Sequence, residues 1–397
     1  MRIVIAPDSF KGCLSASNVA LAMSRGVQRV YPESVIDLIP MADGGEGTVA
    51  AILSSVGGET IEIDVADPLG RSIRAAYGLL DNGETAIIEM AAASGLTLLG
   101  DEERNPRLTS TRGTGELIRD ALDRGVKKIL LGLGGSATND GGAGLAAALG
   151  VKLLDAQGQE LPPGGAALAD LVKIDMSGLD PRLAKVRIEV ACDVQNPLCG
   201  SEGASAVYGP QKGAKPEDIQ VMDAALQNFG EHLSQLVGTN LLNLVGGGAA
   251  GGLGVGTVGF LGARLRPGSM MVLEAAKADE KIQQADLVLT GEGKTDFQTA
   301  YGKVPVGVAA LARKYEVPVL VISGSVEGSP DLLADVGVAS CFSVAEGPAT
   351  IEEAYEKAVE QVERAVWRIL TVWKLGEASA AKQRAPVGAI HESLPEQ

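Results

Sequence analysis

Carboxylates, lysines and glycines recur together along this 397-residue chain, and histidine does not. The first such cluster is Asp8-Ser9-Phe10-Lys11-Gly12. An acid beside a base there suits proton acceptance and an anion contact, or a plain capping turn. The second is Met41-Ala42-Asp43-Gly44-Gly45-Glu46-Gly47-Thr48. Its glycines let backbone approach a ligand, while Asp43 and Glu46 offer the oxygens that Mg²⁺ takes. An acidic first turn of a helix is the competing reading. The third, Gly132-Leu133-Gly134-Gly135-Ser136-Ala137-Thr138-Asn139-Asp140-Gly141-Gly142, can cradle a phosphate on successive N–H groups. Ser136, Thr138 and Asn139 add donors, and Asp140 adds a metal-binding oxygen. The same run fits the dinucleotide pattern G-x-G-x-x-A, with Asp155 about twenty residues on. A nucleotide-dependent dehydrogenase therefore stays open.

Three further segments carry the same chemistry. Asp193-Val194-Gln195-Asn196-Pro197-Leu198 offers a base or metal ligand, and Gly209-Pro210-Gln211-Lys212-Gly213 follows with a lysine for an anion. Asn196-Pro197 also suits a simple turn. Seven glycines fall within residues 246–256 and read as a loop entering a tightly packed helix, or as a hinge. The segment from Thr290 to Thr299, with Gly291, Glu292, Gly293, Lys294, Thr295, Asp296 and Gln298, resembles a P-loop but has Val288 where the P-loop needs glycine.

With only His232 and His391 in the chain, a Ser-His-Asp hydrolase is excluded in its usual form. Phosphoryl transfer needs positioning, Mg²⁺ and anion contacts rather than covalent chemistry, and suits the clusters better. The net charge is −16 and no Lys/Arg cluster occurs, which argues against a nucleic-acid partner. Any anion site must therefore be built locally. The four cysteines show no metal or disulfide spacing. No signal peptide and no membrane-length apolar run is present, so a soluble cytoplasmic protein is expected.

The elements that must carry these loops read as α/β. A strand over 2–6, a helix capped by Ser15 or Ser17 and a strand over 35–39 form a β-α-β unit. The rhythm returns with a strand at 286–290, a helix at 304–314, a strand at 318–323 and a helix near 351–370. Between them lie strands at 59–65, 72–79, 84–89, 127–131 and 186–191 and helices near 113–124 and 216–236. In one arrangement both chain ends form a doubly wound parallel sheet (1–66 and 285–373) with an inserted domain (67–284). A simple split into two successive domains fits nearly as well. Residues 374–397 lack periodicity and read as a flexible tail.

Taken together, the segments resemble the bacterial type I glycerate kinase family. The likeness rests on DSFKG (8–12), PMADGGEGT (40–48), DPLGR (67–71), GLGGSATND (132–140), DVQNPL (193–198), GPQKGA (209–214), AAGGLG (249–254) and TGEGKTDFQ (290–298). It implies phosphorylation of D-glycerate by ATP with Mg²⁺, mainly to 2-phosphoglycerate. It also implies two α/β domains, one flavodoxin-like and formed by both chain ends, with the site in the cleft. The roles expected are then as follows. Asp8 or Asp193 accepts the proton, with Lys11 beside the transferred charge. Arg71, Asn196, Lys212 and Gln298 bind the acid. Gly134, Gly135, Ser136, Thr138, Asn139, Gly291 and Gly293 hold phosphate, and Asp43, Glu46 and Asp296 hold the metal. A non-enzymatic sensor with a closing cleft is the remaining alternative, though the chain shows no effector segment.

Overall fold

The computed structural model describes residues 1–42, 44–301, 303–328 and 330–384. Asp43, the side chain of Gln298 and His391 lie outside the described residues. The architecture is α/β with two principal sheets.

The first sheet runs 338–343, 319–323, 287–291, 2–7, 35–38, and every pairing is parallel. Strand Arg2–Pro7 lies between Leu287–Gly291 and Val35–Leu38, so residues from both chain ends build one sheet. Ile3, Val4, Ile5 and Ala6 are fully buried. A strand covered on both faces reads as a continuous apolar run rather than an alternating one. The strand ends at Pro7, and the chain opens there into Asp8.

The second sheet runs 264–266, 187–191, 128–132, 85–89, 72–80, 59–66. Its first four strands are parallel and the last two join antiparallel. The DPLGR segment closes that last hairpin. Asp67 is almost wholly buried there and accepts from Leu69 N and Arg71 N, each at 2.8 Å.

The two sheets share one apolar cluster. Ile87, Leu130 and Ala191 of the second sheet pack with Val4, Val288 and Val321 of the first. The helices Gly268–Ala275 and Ala278–Gln283 join that cluster through Met271, Leu273 and Ile282, beside Val304 and Val308. The chain re-enters the first sheet itself at strand Leu287–Gly291.

Helix Ala16–Gln28 starts at Ser15, whose hydroxyl accepts from Asn18 N. It packs against the last helix, Ala358–Arg384, through Val19, Met23 and Val27 facing Val362, Val366 and Leu370. That spacing of four keeps the apolar stripe on one face. The last helix corrects the expected tail: residues 374–384 continue it. Lys374 donates to Val30 O at 2.9 Å, and Tyr31 Oη donates to Glu377 at 2.7 Å. These polar anchors leave no hydrophobic period in the sequence.

Helix contact there is close at Gly26. A Cβ on Gly26 would lie 2.5 Å from Glu363 O and 2.7 Å from Val366 Cβ. Gly26→Ala is expected to destabilise the protein by about 1–3 kcal/mol through overpacking, read as a lowered urea midpoint.

Candidate active site

Both sheets present their carboxyl-terminal strand ends to one region, where open α/β sheets bind ligands. The loop after strand 35–38 crosses to the second sheet there. Gly44 O accepts from Gly134 N at 3.3 Å. A Cβ on Gly132 would sit 2.2 Å from Gly44 O, and one on Gly134 would sit 2.5 Å from Gly45 Cα. Only glycine permits this approach.

A first cavity of about 560 Å³ opens at the ends of strands 2–7 and 287–291. Asp8, Lys11 and Gly293 line it, together with Glu292, Lys294 and Lys303. Asp8 N donates to Gly291 O at 2.8 Å, which places Gly291 in the join between neighbouring strands. Glu292 is nearly buried and accepts from Thr299 Oγ1 at 2.6 Å and Thr295 Oγ1 at 3.1 Å. Burial pushes its carboxyl pKa up, against those hydroxyls and the nearby Lys303. Lys303 Nζ lies 3.9 Å from Glu292 and 4.0 Å from Asp296, and Lys294 Nζ pairs with Glu327 at 2.9 Å.

A second cavity of about 370 Å³ is lined by Gly45, Gly134, Gly135, Ser136, Asp193, Tyr208 and Lys212. Asp193 Oδ1 accepts from Gly268 N at 3.0 Å, so the start of helix 268–275 orients it. Lys212 is 1% exposed, and its ammonium donates to Ser136 Oγ at 2.8 Å and Thr138 O at 2.7 Å. Burial pushes its pKa down to about 7, with the charge of Asp140 opposing the shift.

The glycine loop is held from behind by Asp140, which is fully buried. It accepts from Thr111 N at 2.8 Å, Thr111 Oγ1 at 2.9 Å, Gly142 N at 3.1 Å and Gly144 N at 3.2 Å. This carboxylate is spent on backbone and hydroxyl donors, which corrects its reading as a metal ligand. Glu89, from strand 85–89, accepts from Val49 N at 2.7 Å and so ties the loop before helix Thr48–Val56 to the second sheet.

Several expected ligands are thus separated. Asp8 and Asp193 line different cavities. Thr138 and Asn139 are buried behind the glycine loop and line neither, and Asn139 Nδ2 donates to Ser205 Oγ at 3.0 Å. Asn196 spends its amide on Glu202 O at 2.8 Å and Tyr208 Oη at 2.7 Å. Arg71 pairs with Asp67 and with Glu103 at 2.6 Å, and lines neither cavity. Its guanidinium braces the hairpin through these two carboxylates. Glu46 is exposed and Asp296 sits beside Lys294 and Lys303. Asp155 accepts from Gln157 N and Gln159 N in a turn of its own, so the dinucleotide pattern lacks its ribose-binding acid.

Glu292, Lys294, Lys303 and Tyr208 were not singled out as site residues by sequence. The first two lie inside the segment 290–299 and Lys303 follows it by four residues. Tyr208 gives no local signal. His232 binds its own helix through Asn228 O and takes no part.

Lysines, carboxylates and glycine amides at the strand ends of two linked sheets, with histidine in neither lining, define a phosphotransferase of the α/β class. A sequence model of the glycerate kinase family matches residues 3–374. Glycerate kinase of Bacillus subtilis strain 168 is 48% identical over 95% of this chain and 99% of its own length. Glycerate 2-kinase of Escherichia coli K12 is 46% identical over 96% of this chain and all of its own. The crystal structure of a Salmonella typhimurium LT2 protein assigned as glycerate kinase 2 superposes with a TM-score of 0.86 at 47% identity, covering 95% of this chain and 99% of that one. The chain belongs to the glycerate kinase family.

Gly134→Ala is expected to force the two loops apart and cut the rate about 10²-fold, as a misplacement near 1 Å does. Slowed ATP turnover at a temperature where circular dichroism shows the variant still folded checks that the loss is one of positioning, with a lowered thermal midpoint expected from the same clash.

Proposed function

We propose that the chain is a kinase that transfers the γ-phosphoryl group of ATP to D-glycerate, with the 2-hydroxyl as acceptor. One observation carries the division of labour. A larger cavity with an apolar side and three lysines opens at the strand ends of the first sheet, and a smaller one with glycine amides and a buried lysine opens at those of the second. The larger suits a nucleotide, and the smaller suits a three-carbon acid. The choice of glycerate follows the relatives' names.

In this reading Lys11, Lys294 and Lys303 meet the phosphates in the first cavity. Lys212 and the amides of Gly134, Gly135 and Ser136 take the acid's carboxylate in the second. The glycine loop thereby moves from the nucleotide to the acid. Asp193, held by Gly268 N, accepts the proton of the attacked hydroxyl. Asp8 stays with the nucleotide.

Among the described residues no group of three or more His, Cys, Asp or Glu side chains could hold a metal alone. That donor set fits Mg²⁺, which commonly takes one or two carboxylates and completes its shell with phosphate and water. Glu46 and Asp296 are the candidates, with Asp43 outside the described residues. When bound, the ion neutralises charge on the phosphates. The same proposal takes both chain ends as one domain and the middle as an insertion, with the second crossing near residue 268. Among the described residues no helix is long and apolar enough to cross a membrane.

ADP release with ATP, Mg²⁺ and D-glycerate tests the function, and phosphorus NMR of the product separates 2- from 3-phosphoglycerate. Asp193→Asn should lower kcat by roughly 10² or more while Asp8→Asn acts on the ATP constants. A wild-type kcat in Asp193→Asn removes that role.

Lys212 gives the reaction a pH signature. Its ammonium binds the carboxylate, and in the free enzyme it titrates at about 7. Asp140, Asp193, Cys192 and Tyr208 are the other titratable groups around it. Below pH 7 the lysine is charged and binding is complete. Above it, binding must take up a proton, so kcat/KM for glycerate should fall by about tenfold per pH unit. Lys212→Met should lose this limb and start from a lower plateau. Rate profiles between pH 6 and 9 check both.

A further inference from the structure

One side of the first cavity has no part in holding phosphates. It is built by Val344, Ala345, Ile351, Ala354, Tyr355 and Ala358, from the end of the last strand and the helices Ile351–Glu356 and Ala358–Arg384. Ile351 is 61% exposed and Tyr355 44% exposed, although both line a cavity. Large apolar groups left open inside a concave site mark a ligand surface. The Tyr355 ring rests over the turn after the first strand, its Oη 3.5 Å from where a Cβ on Gly12 would lie. It is therefore braced as a flat face.

One helical turn beyond Ala358, Gln361 lines the same cavity. Its backbone N–H is bonded to Lys357 O, while its side-chain amide has no hydrogen-bond partner among the described residues. An amide held at the border of an apolar wall is free to meet the polar edge of a flat ring.

We propose that this wall seats the purine base of the phosphoryl donor, and that Gln361 meets the base edge without choosing between adenine and guanine. The inference rests on the reading that the first cavity holds the nucleotide. A primary amide carries both donors and an acceptor, and a half-turn exchanges them. In one orientation it donates to adenine N1 and accepts from the 6-amino group. In the other it donates to guanine O6 and accepts from N1–H. The apolar wall stacks either base equally, because every base has a π-face. The other wall residues are aliphatic or, in Tyr355, aromatic, so none reads the edge more strictly.

Gln361→Glu breaks this symmetry. A carboxylate only accepts, so it gains N1–H and the 2-amino group of guanine and opposes the lone pair of adenine N1. Wild-type protein should use GTP with kcat/KM within about tenfold of that for ATP, and Gln361→Glu should shift the ratio toward GTP by about tenfold or more. The KM for glycerate at saturating nucleotide should not move. A wild-type preference for ATP above roughly a hundredfold, or a ratio moved less than about twofold in the variant, overturns the proposal. Lys303→Met, measured in parallel, keeps the two levels apart. A raised KM for ATP in that variant, with an unmoved ratio in Gln361→Glu, places the base elsewhere and leaves the phosphate site standing. A KM for ATP unmoved in both overturns the cavity reading together with the inference.

Discussion

Two glycine-bearing turns touching backbone to backbone are the constraint on which the rest of the site depends. Gly44 and Gly45 end the loop from the first sheet, and Gly132 and Gly134 begin the loop from the second. Carbonyl and amide meet directly at Gly44 O and Gly134 N. No side chain fits between them, since a Cβ on Gly44 would also lie 2.3 Å from Ala191 Cβ. The contact brings the carboxyl ends of two differently built sheets together and sets Gly45 into the lining of the second cavity. Glu89 reinforces it from the side, by accepting from the start of helix 48–56.

A chain with net charge −16 must still bind two anions, and it does so by local means. Lys212 is buried and its ammonium is held by two neutral acceptors, Ser136 Oγ and Thr138 O, with the charge of Asp140 acting on it from beyond ion-pair distance. Desolvating an ammonium is costly, which is why its pKa falls. In the proposed reading an incoming carboxylate would offset part of that cost. Lys303 is managed differently, beside Glu292 and Asp296 at about 4 Å. Those long ion pairs hold the side chain near the cavity without enclosing it. Buried carboxylates do structural service: Asp140 gathers donors behind the glycine loop, and Glu292 gathers two threonine hydroxyls.

Much of the candidate site was legible because it lies in short segments directly after strands. Asp8, Lys11, Ser136, Asp193, Lys212 and Gly293 all line a cavity. The misreadings have one cause. A polar side chain next to a glycine loop has the same sequence signature whether it faces the ligand or the protein. Thr138, Asn139 and Asn196 turn toward the protein: Asn139 Nδ2 bonds Ser205 and the Asn196 amide bonds Glu202 O and Tyr208 Oη, while Thr138 Oγ1 and Asn139 Oδ1 are buried without a partner among the described residues. Arg71 has the residue type for a carboxylate and spends it on Asp67 and Glu103. The apolar wall of the first cavity gave no signal, because Ile351, Ala354 and Ala358 read as ordinary helix core.

By itself, the sequence determined the α/β class, the strand-end placement of the reactive loops and the family. Each of these follows from local patterns: apolar runs that become buried strands, glycines that permit turns, and ordered motifs. The tertiary structure alone decided how the loops divide between two cavities. It set Asp8 apart from Asp193, buried Lys212 against Ser136, and joined the sheets through helices 268–275 and 278–283. Such facts depend on which strands become neighbours across long stretches of chain. Arg2–Pro7 meets Leu287–Gly291 only when the core closes, and no local preference encodes that pairing.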